Sequence, residues 1–291
     1  MTADFGLELL PPAGLPVFEN NLRMLPSFTK YFSTIWICDH FQFGGGKPWF
    51  EGWTTLSYLA AKFPEYKYGN LVIGSGYRNP ALLAKMAATL VNLSGKADIL
   101  TLGLGAGWDR DEYVAYGYDF PPYSERVERL REVIEIVRKL WDESPASYQG
   151  KFYRIKNAYV EPRPKQRIPI LVGGSGKAVL RVVARYADAW NEAGKVGIFK
   201  PSLQRLQTAC DEMGRNINEI KMTCIVRPSI PEDPGDFRQD SLNRLIGPKI
   251  DDIITELHSL ADLGVSHFQV RVSDPRTLAV FCEEVISDFK K

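Results

Sequence analysis

The hydrophobic residues of this chain fall into short runs that alternate with longer stretches of helical spacing. Phe5-Gly6-Leu7-Glu8-Leu9-Leu10 is a short run, stopped by Pro11-Pro12. Such runs of four to eight residues, bounded by Gly or Pro, predict strands covered on both faces. The same pattern predicts strands at 34–38, 70–74, 99–104, 170–173, 187–191, 220–226 and 267–272. Between them the spacing turns helical, at about 17–31, 51–63, 81–93, 176–186, 201–213 and 251–263. Asp251 is expected to cap the last of these, with Gly264 as its stop, and Asp274 to cap a further helix. After the fourth strand, Val127, Leu130, Val133, Ile134, Val137, Leu140 and Trp141 share one helical face.

Eight strands, each followed by a helix, predict a (β/α)8 TIM barrel, formed as one domain over residues 1–291. A doubly wound open sheet is the runner-up. Residues 143–167 break the rhythm. Tyr148 to Tyr153 read as a hairpin, and Pro162, Pro164 and Pro169 keep the next stretch extended, so an insertion between the fourth and fifth strands is expected. A barrel collects function at the C-terminal ends of its strands, where Asp39, His40, Ser75, Trp108, Gly174, Asn191 and Arg227 fall.

Composition narrows the partners. The formal net charge is +1, which gives no electrostatic footprint for nucleic acid. No apolar run reaches the roughly 18 residues of a membrane helix, and Met1 to Glu8 lacks a basic signal-peptide start. Cys38, Cys210, Cys224 and Cys282 have no CxxC spacing, which favours a reduced, cytoplasmic protein. His40, His258 and His267 have no partner at metal-ligand spacing, so no metal is assigned.

Three groups of residues could carry chemistry. Asp39-His40 ends the second strand, where a histidine can exchange a proton near neutral pH and the adjacent Asp must point elsewhere. Gly173-Gly174-Ser175-Gly176 opens a helix, and amides there can hold an anion, although short Gly-rich turns are common and barrel phosphate sites usually follow strands seven and eight. Glu8, Gln269 and Arg271 interrupt apolar strands. The first and eighth strands are neighbours in a closed barrel, so Glu8 and Arg271 are expected to pair at the pocket floor. Gly103, Gly105 and Gly107 surround the end of the fourth strand and are read as room for a ligand to approach the backbone.

The residues 36–41 (WICDHF), 77–90 (YRNPALLAKMAATL), 102–120 and 170–191 together resemble the bacterial luciferase-like flavin enzymes, and the second and third stretches look most like the deazaflavin branch that uses coenzyme F-420. The resemblance implies a barrel with FMN or coenzyme F-420 (F420) at the strand ends. It implies a ring packed on a bulge at Leu71-Val72, where the family often has a non-prolyl cis peptide. Asp39 and His40 would face the ring, Gly107, Trp108 and Asp109 would flank it, and Gly173 to Gly176 would take the tail phosphate. The acidic deazaflavin tail would favour basic rim residues such as Lys47, Arg78 or Lys177. One departure is visible. Trp108 stands where the sugar-phosphate dehydrogenases of this branch carry a proton-donating glutamate.

The resulting expectation is an oxidoreductase acting on a small organic substrate, by hydride transfer or oxygen activation, with a possible homodimer as its assembly. His40 would handle a proton, Asp39 would fix the ring edge, and a loop at 227–248 would act as a lid. A cofactor-binding protein without catalysis, and a barrel lyase or isomerase acting on a phosphorylated metabolite, are the alternatives.

Overall fold

The computed structural model describes residues 3–10, 15–42, 46, 48–242, 244–272 and 274–289. Its barrel strands are β1 (Asp4–Glu8), β2 (Thr34–Ile37), β3 (Lys67–Asn70), β4 (Leu100–Gly105), β5 (Ile170–Gly173), β6 (Ala189–Ala193), β7 (Lys221–Pro228) and β8 (Val265–Val270). They pair in parallel in chain order, and β8 returns to β1, so the sheet closes as expected and the open doubly wound alternative is excluded.

The helices pack outside the ring. They include α1 (Leu15–Phe28), α2 (Gly52–Lys62), α3 (Pro80–Ser94), α4 (Tyr123–Asp142), α5 (Lys177–Tyr186), α6 (Val196–Glu212) and α7 (Ile250–Asp262). Most of the core lies between them and the strands. A second cluster, Trp36, Leu71, Leu171, Ala189 and Ile225, fills the barrel interior. The Trp36 indole needs room there, and Gly6 and Gly69 on the flanking strands supply it, since a Cβ at either would overlap the ring.

Several boundaries differ from the sequence reading, for local reasons. The third strand begins at Lys67, stops at Asn70 and resumes as Ile73–Gly74 after a cis Leu71–Val72 peptide, so the anticipated bulge interrupts it. A short helix, Arg110–Ala115, precedes α4. Asp251 lies inside the first turn of α7, whose N-cap is Lys249, so it is not the cap. Asp274 does cap its helix, accepting from the Arg276 and Thr277 N–H groups at 3.3 and 2.8 Å. The insertion between β4 and β5 is an antiparallel hairpin, Ala146–Gln149 with Arg154–Ala158. No helix among the described residues is long and apolar enough to cross a membrane.

Candidate active site

A cavity of about 400 Å³ opens at the C-terminal ends of the strands. Its floor follows from the break in β3. The Val72 side chain lies across β4 and β5, where a Cβ on Gly105 would come within 2.7 Å of Val72 Cγ2 and one on Gly173 within 3.1 Å of Cγ1. These glycines therefore admit Val72. Gly103 likewise makes way for the Asn70 carbonyl and is not in the cavity wall, whereas Gly105 and Gly107 line it, Gly107 at φ +79° in a turn.

Asp39 and His40 make separate contacts, as adjacent residues must. Asp39 is buried, and its two oxygens accept from the Arg78 fork at 2.7 and 2.8 Å. Arg78 also binds Glu51, the N-cap of α2. Burial pushes the Asp39 carboxyl up and the Arg78 fork opposes it. Arg78 is thus committed to Asp39 and Glu51 and does not serve an acidic tail at the rim. Lys177 stands exposed at the start of α5, and Lys47 lies outside the described residues.

His40 Nδ1 lies 2.9 Å from Glu112 Oε2. Glu112 is buried and held from several sides. Its Oε1 accepts the Gln42 N–H at 2.9 Å, its Oε2 accepts the Tyr77 hydroxyl, and its own N–H donates to Asp109 Oδ1 at 3.1 Å. Burial, and then the Glu112 contact, push the Tyr77 hydroxyl up, so it stays protonated and donates. The sequence reading does not single out Glu112. The signal lay in the turn: Gly107 swings the chain so that the helix starting at Arg110 carries Glu112 back under His40. The same turn gathers ligand atoms of His40, Asp109 and Glu112 within 4.8 Å of one another, a grouping that linear spacing had hidden. Trp108 and Trp49 flank the imidazole edge-to-face, with centroids at 5.7 and 6.4 Å.

On the β7–β8 side the wall is cationic, with Arg227, Arg244 and Arg271. The expected pair is present, with Arg271 Nε donating to Glu8 Oε2 at 2.7 Å and Nη2 binding Oε1; Arg271 lines the cavity, while Glu8 lies behind it and outside the wall. Arg227 reaches Asp240 at 3.3 Å. Burial, with Arg271 and Arg244 near it, holds the Arg227 pKa below its ordinary value. Arg244 has no ion-pair partner among the described residues, and it was missed because the loop that carries it shows no periodicity. That loop folds back at its far end, where Leu245–Ile246 pairs with Arg227 and Pro228.

Of the other expected contacts, Leu71, Val72, Gly107, Trp108, Asp109, Gly173 and Gly174 line the cavity. Ser175 and Gly176 are not in its wall, and a Cβ on Gly176 would overlap the Tyr123 hydroxyl. The helix start expected to take a phosphate therefore has a tyrosine beside it.

Comparison with known proteins agrees with the fold. The chain is 33% identical over 210 residues to an F420-dependent glucose-6-phosphate dehydrogenase of Kineococcus radiotolerans, covering 69% of this chain and 60% of that protein. It thus spans about six tenths of the length of that relative. It is 38% identical over 253 residues to an uncharacterised Mycobacterium tuberculosis protein, covering 84% of this chain and 81% of the other. Among solved structures, the coenzyme F420-dependent tetrahydromethanopterin reductase of Methanopyrus kandleri superposes with a TM-score of 0.82 at 20% identity, over 99% of this chain and all of that one. A family model for luciferase-like monooxygenases matches residues 31–267, and the chain belongs to that family.

Proposed function

We propose that this protein is an oxidoreductase that binds a flavin or deazaflavin on the Leu71–Val72 floor and exchanges a hydride, or activates oxygen, on a small organic substrate. One observation carries the reading: Leu71 and Val72 line the same strand-end cavity as a histidine held by a buried carboxylate. The cavity volume falls in the range of about 300–1,000 Å³ that suits small-molecule ligands. When bound, the ring supplies the redox chemistry. The chain supplies the rest. Glu112 accepts from His40 Nδ1, which leaves Nε2 as the nitrogen able to exchange a proton with a ligand. Asp39, locked by Arg78, shapes the wall beside it. Gly173 and Gly174 supply backbone at the tail end of the floor, and the arginines of β7 and β8 favour an anionic group. F420 is favoured by the names of the relatives and by this cationic wall, with FMN as the second candidate. The four cysteines are buried and free, in keeping with a cytoplasmic setting.

Titration of the purified protein with F420 and with FMN, followed by absorbance, tests the reading, and stoichiometric binding of one is the expected result. His40→Ala should then cut turnover far more than cofactor affinity. Equal turnover in the variant removes His40 from the mechanism, and failure to bind either cofactor ends the proposal.

A further inference from the structure

The cavity has more than one layer. Its floor, at Leu71 and Val72, is largely covered, whereas Trp108 lines the same cavity and is 67% exposed. A flat cofactor on the floor leaves Trp108 at the mouth, where a second ligand enters. This rests on the cofactor reading above. The indole stands at the position where the family's sugar-phosphate dehydrogenases carry a glutamate. Exchanging a carboxylate for an indole removes an acceptor for hydroxyl groups and presents a π face instead.

The other side of the mouth has the opposite character. Trp108 lies in the loop after β4, and in the closed ring β4 is three strands from β7 and four from β8, so the strand ends that bring the arginines stand on the other side of the barrel from that loop. Arg271 is matched by Glu8 and Arg227 by Asp240, while Arg244 has no ion pair among the described residues. Of the carboxylates that line the cavity, Asp39 is paired with Arg78 and Asp109 accepts the Glu112 N–H, while Glu192, on β6, accepts the Ala193 N–H through Oε1 and leaves Oε2 buried without a partner. The wall therefore offers positive charge to a ligand on one side and an aromatic face on the other.

We propose that Trp108 is the substrate-recognition residue and that the substrate is an aromatic anion, with its ring stacked on the indole and its carboxylate or phosphate on Arg244. The Trp108 and His40 rings stand edge-to-face, 79° apart with centroids at 5.7 Å, so a ligand held by the indole lies beside His40. Recognition then occurs beside the proton-handling group.

Calorimetry on the full chain loaded with cofactor tests this, with 2-naphthoate, phenyl phosphate and glucose 6-phosphate as probes. The two aryl anions should bind about tenfold more tightly than glucose 6-phosphate. Trp108→Ala should weaken both aryl probes roughly fivefold or more with a clearly smaller change in cofactor affinity, and Trp108→Phe should restore most of the loss. Tighter or equal binding of glucose 6-phosphate overturns the proposal, as does the absence of aryl binding. So does a Trp108→Ala variant that loses cofactor affinity as strongly as probe affinity, because the indole would then belong to the cofactor. Failure of the cofactor reading shows separately, in the wild-type cofactor titration, and the aryl probes can still be measured on the cofactor-free chain.

Discussion

At the scale of single residues, the decisive contact is between His40 and Glu112. A buried carboxylate that accepts from a histidine, a tyrosine and a backbone amide has almost no freedom left, so it fixes the imidazole. Charge-assisted hydrogen bonds of this kind contribute about 1.5–3 kcal/mol each. Glu112→Ala releases His40 and Tyr77 together, and we expect turnover to fall at least about tenfold with a smaller change in cofactor affinity. Steady-state kinetics beside a binding titration would separate the two, and unchanged kcat would show that His40 needs no support. The place of His40 at a strand end in the cavity wall was legible in the sequence, because a barrel gathers such positions at one face. Glu112 was not, since its importance depends on a helix too short to leave a periodic signature. Gly103 was legible as a special position but misread, because a glycine in sequence does not say which neighbour needs the room.

Elements show the same division at a larger size. The hairpin between β4 and β5 was anticipated from broken periodicity and prolines, but what docks it was not. Its turn rests on Glu132 of α4, which is fully buried and accepts from the Lys151, Phe152 and Tyr153 N–H groups at 2.8, 3.0 and 3.0 Å. Glu132→Ala leaves three amides unsatisfied, and we expect a loss of about 3 kcal/mol or more with faster proteolysis in the turn. A variant as protease-resistant as wild type would contradict this. At the N-terminal mouth of the barrel, β1, β2 and β8 meet in a different device. His267 Nε2 accepts the Trp36 indole N–H at 3.0 Å, so its Nδ1 carries the hydrogen and faces Asp4 Oδ2 at 3.0 Å. Burial holds the His267 pKa below its ordinary value. The unfolded chain therefore binds a proton near pH 6.5 that the folded chain refuses. This contribution to stability is present above about pH 6.5 and is lost as pH falls below it. Asp4 is lowered to about 2 and its contribution disappears only in stronger acid. Urea midpoints at pH 5 and pH 7 should differ in the wild type and differ less in His267→Gln; equal differences would acquit His267.

On the scale of the whole molecule, the barrel was readable because the strand–helix alternation counts to eight, although an open doubly wound sheet uses the same alternation and only the pairing of β8 with β1 excludes it, and because the break at Leu71-Val72 came with the family resemblance. The cationic wall was only half readable. Arg271 interrupts an apolar strand and so announces itself, whereas Arg244 sits in an irregular loop whose path depends on pairing back to β7. The same logic found the seam of the barrel. Glu8 ends β1 and Arg271 follows β8, so their pairing joins the first strand to the last. Glu8 is fully buried while the Arg271 side chain keeps 26% of its exposure, so the two partners are not equivalent. Removing the arginine strands a charge in the interior, whereas removing both charges does not. We expect Arg271→Met to destabilise the protein by about 3 kcal/mol and Glu8→Gln with Arg271→Met to recover most of that loss. If the double variant were as unstable as the single one, the pair would owe its place to the geometry of closure rather than to the charge it neutralises, and the seam would depend on the guanidinium fork itself.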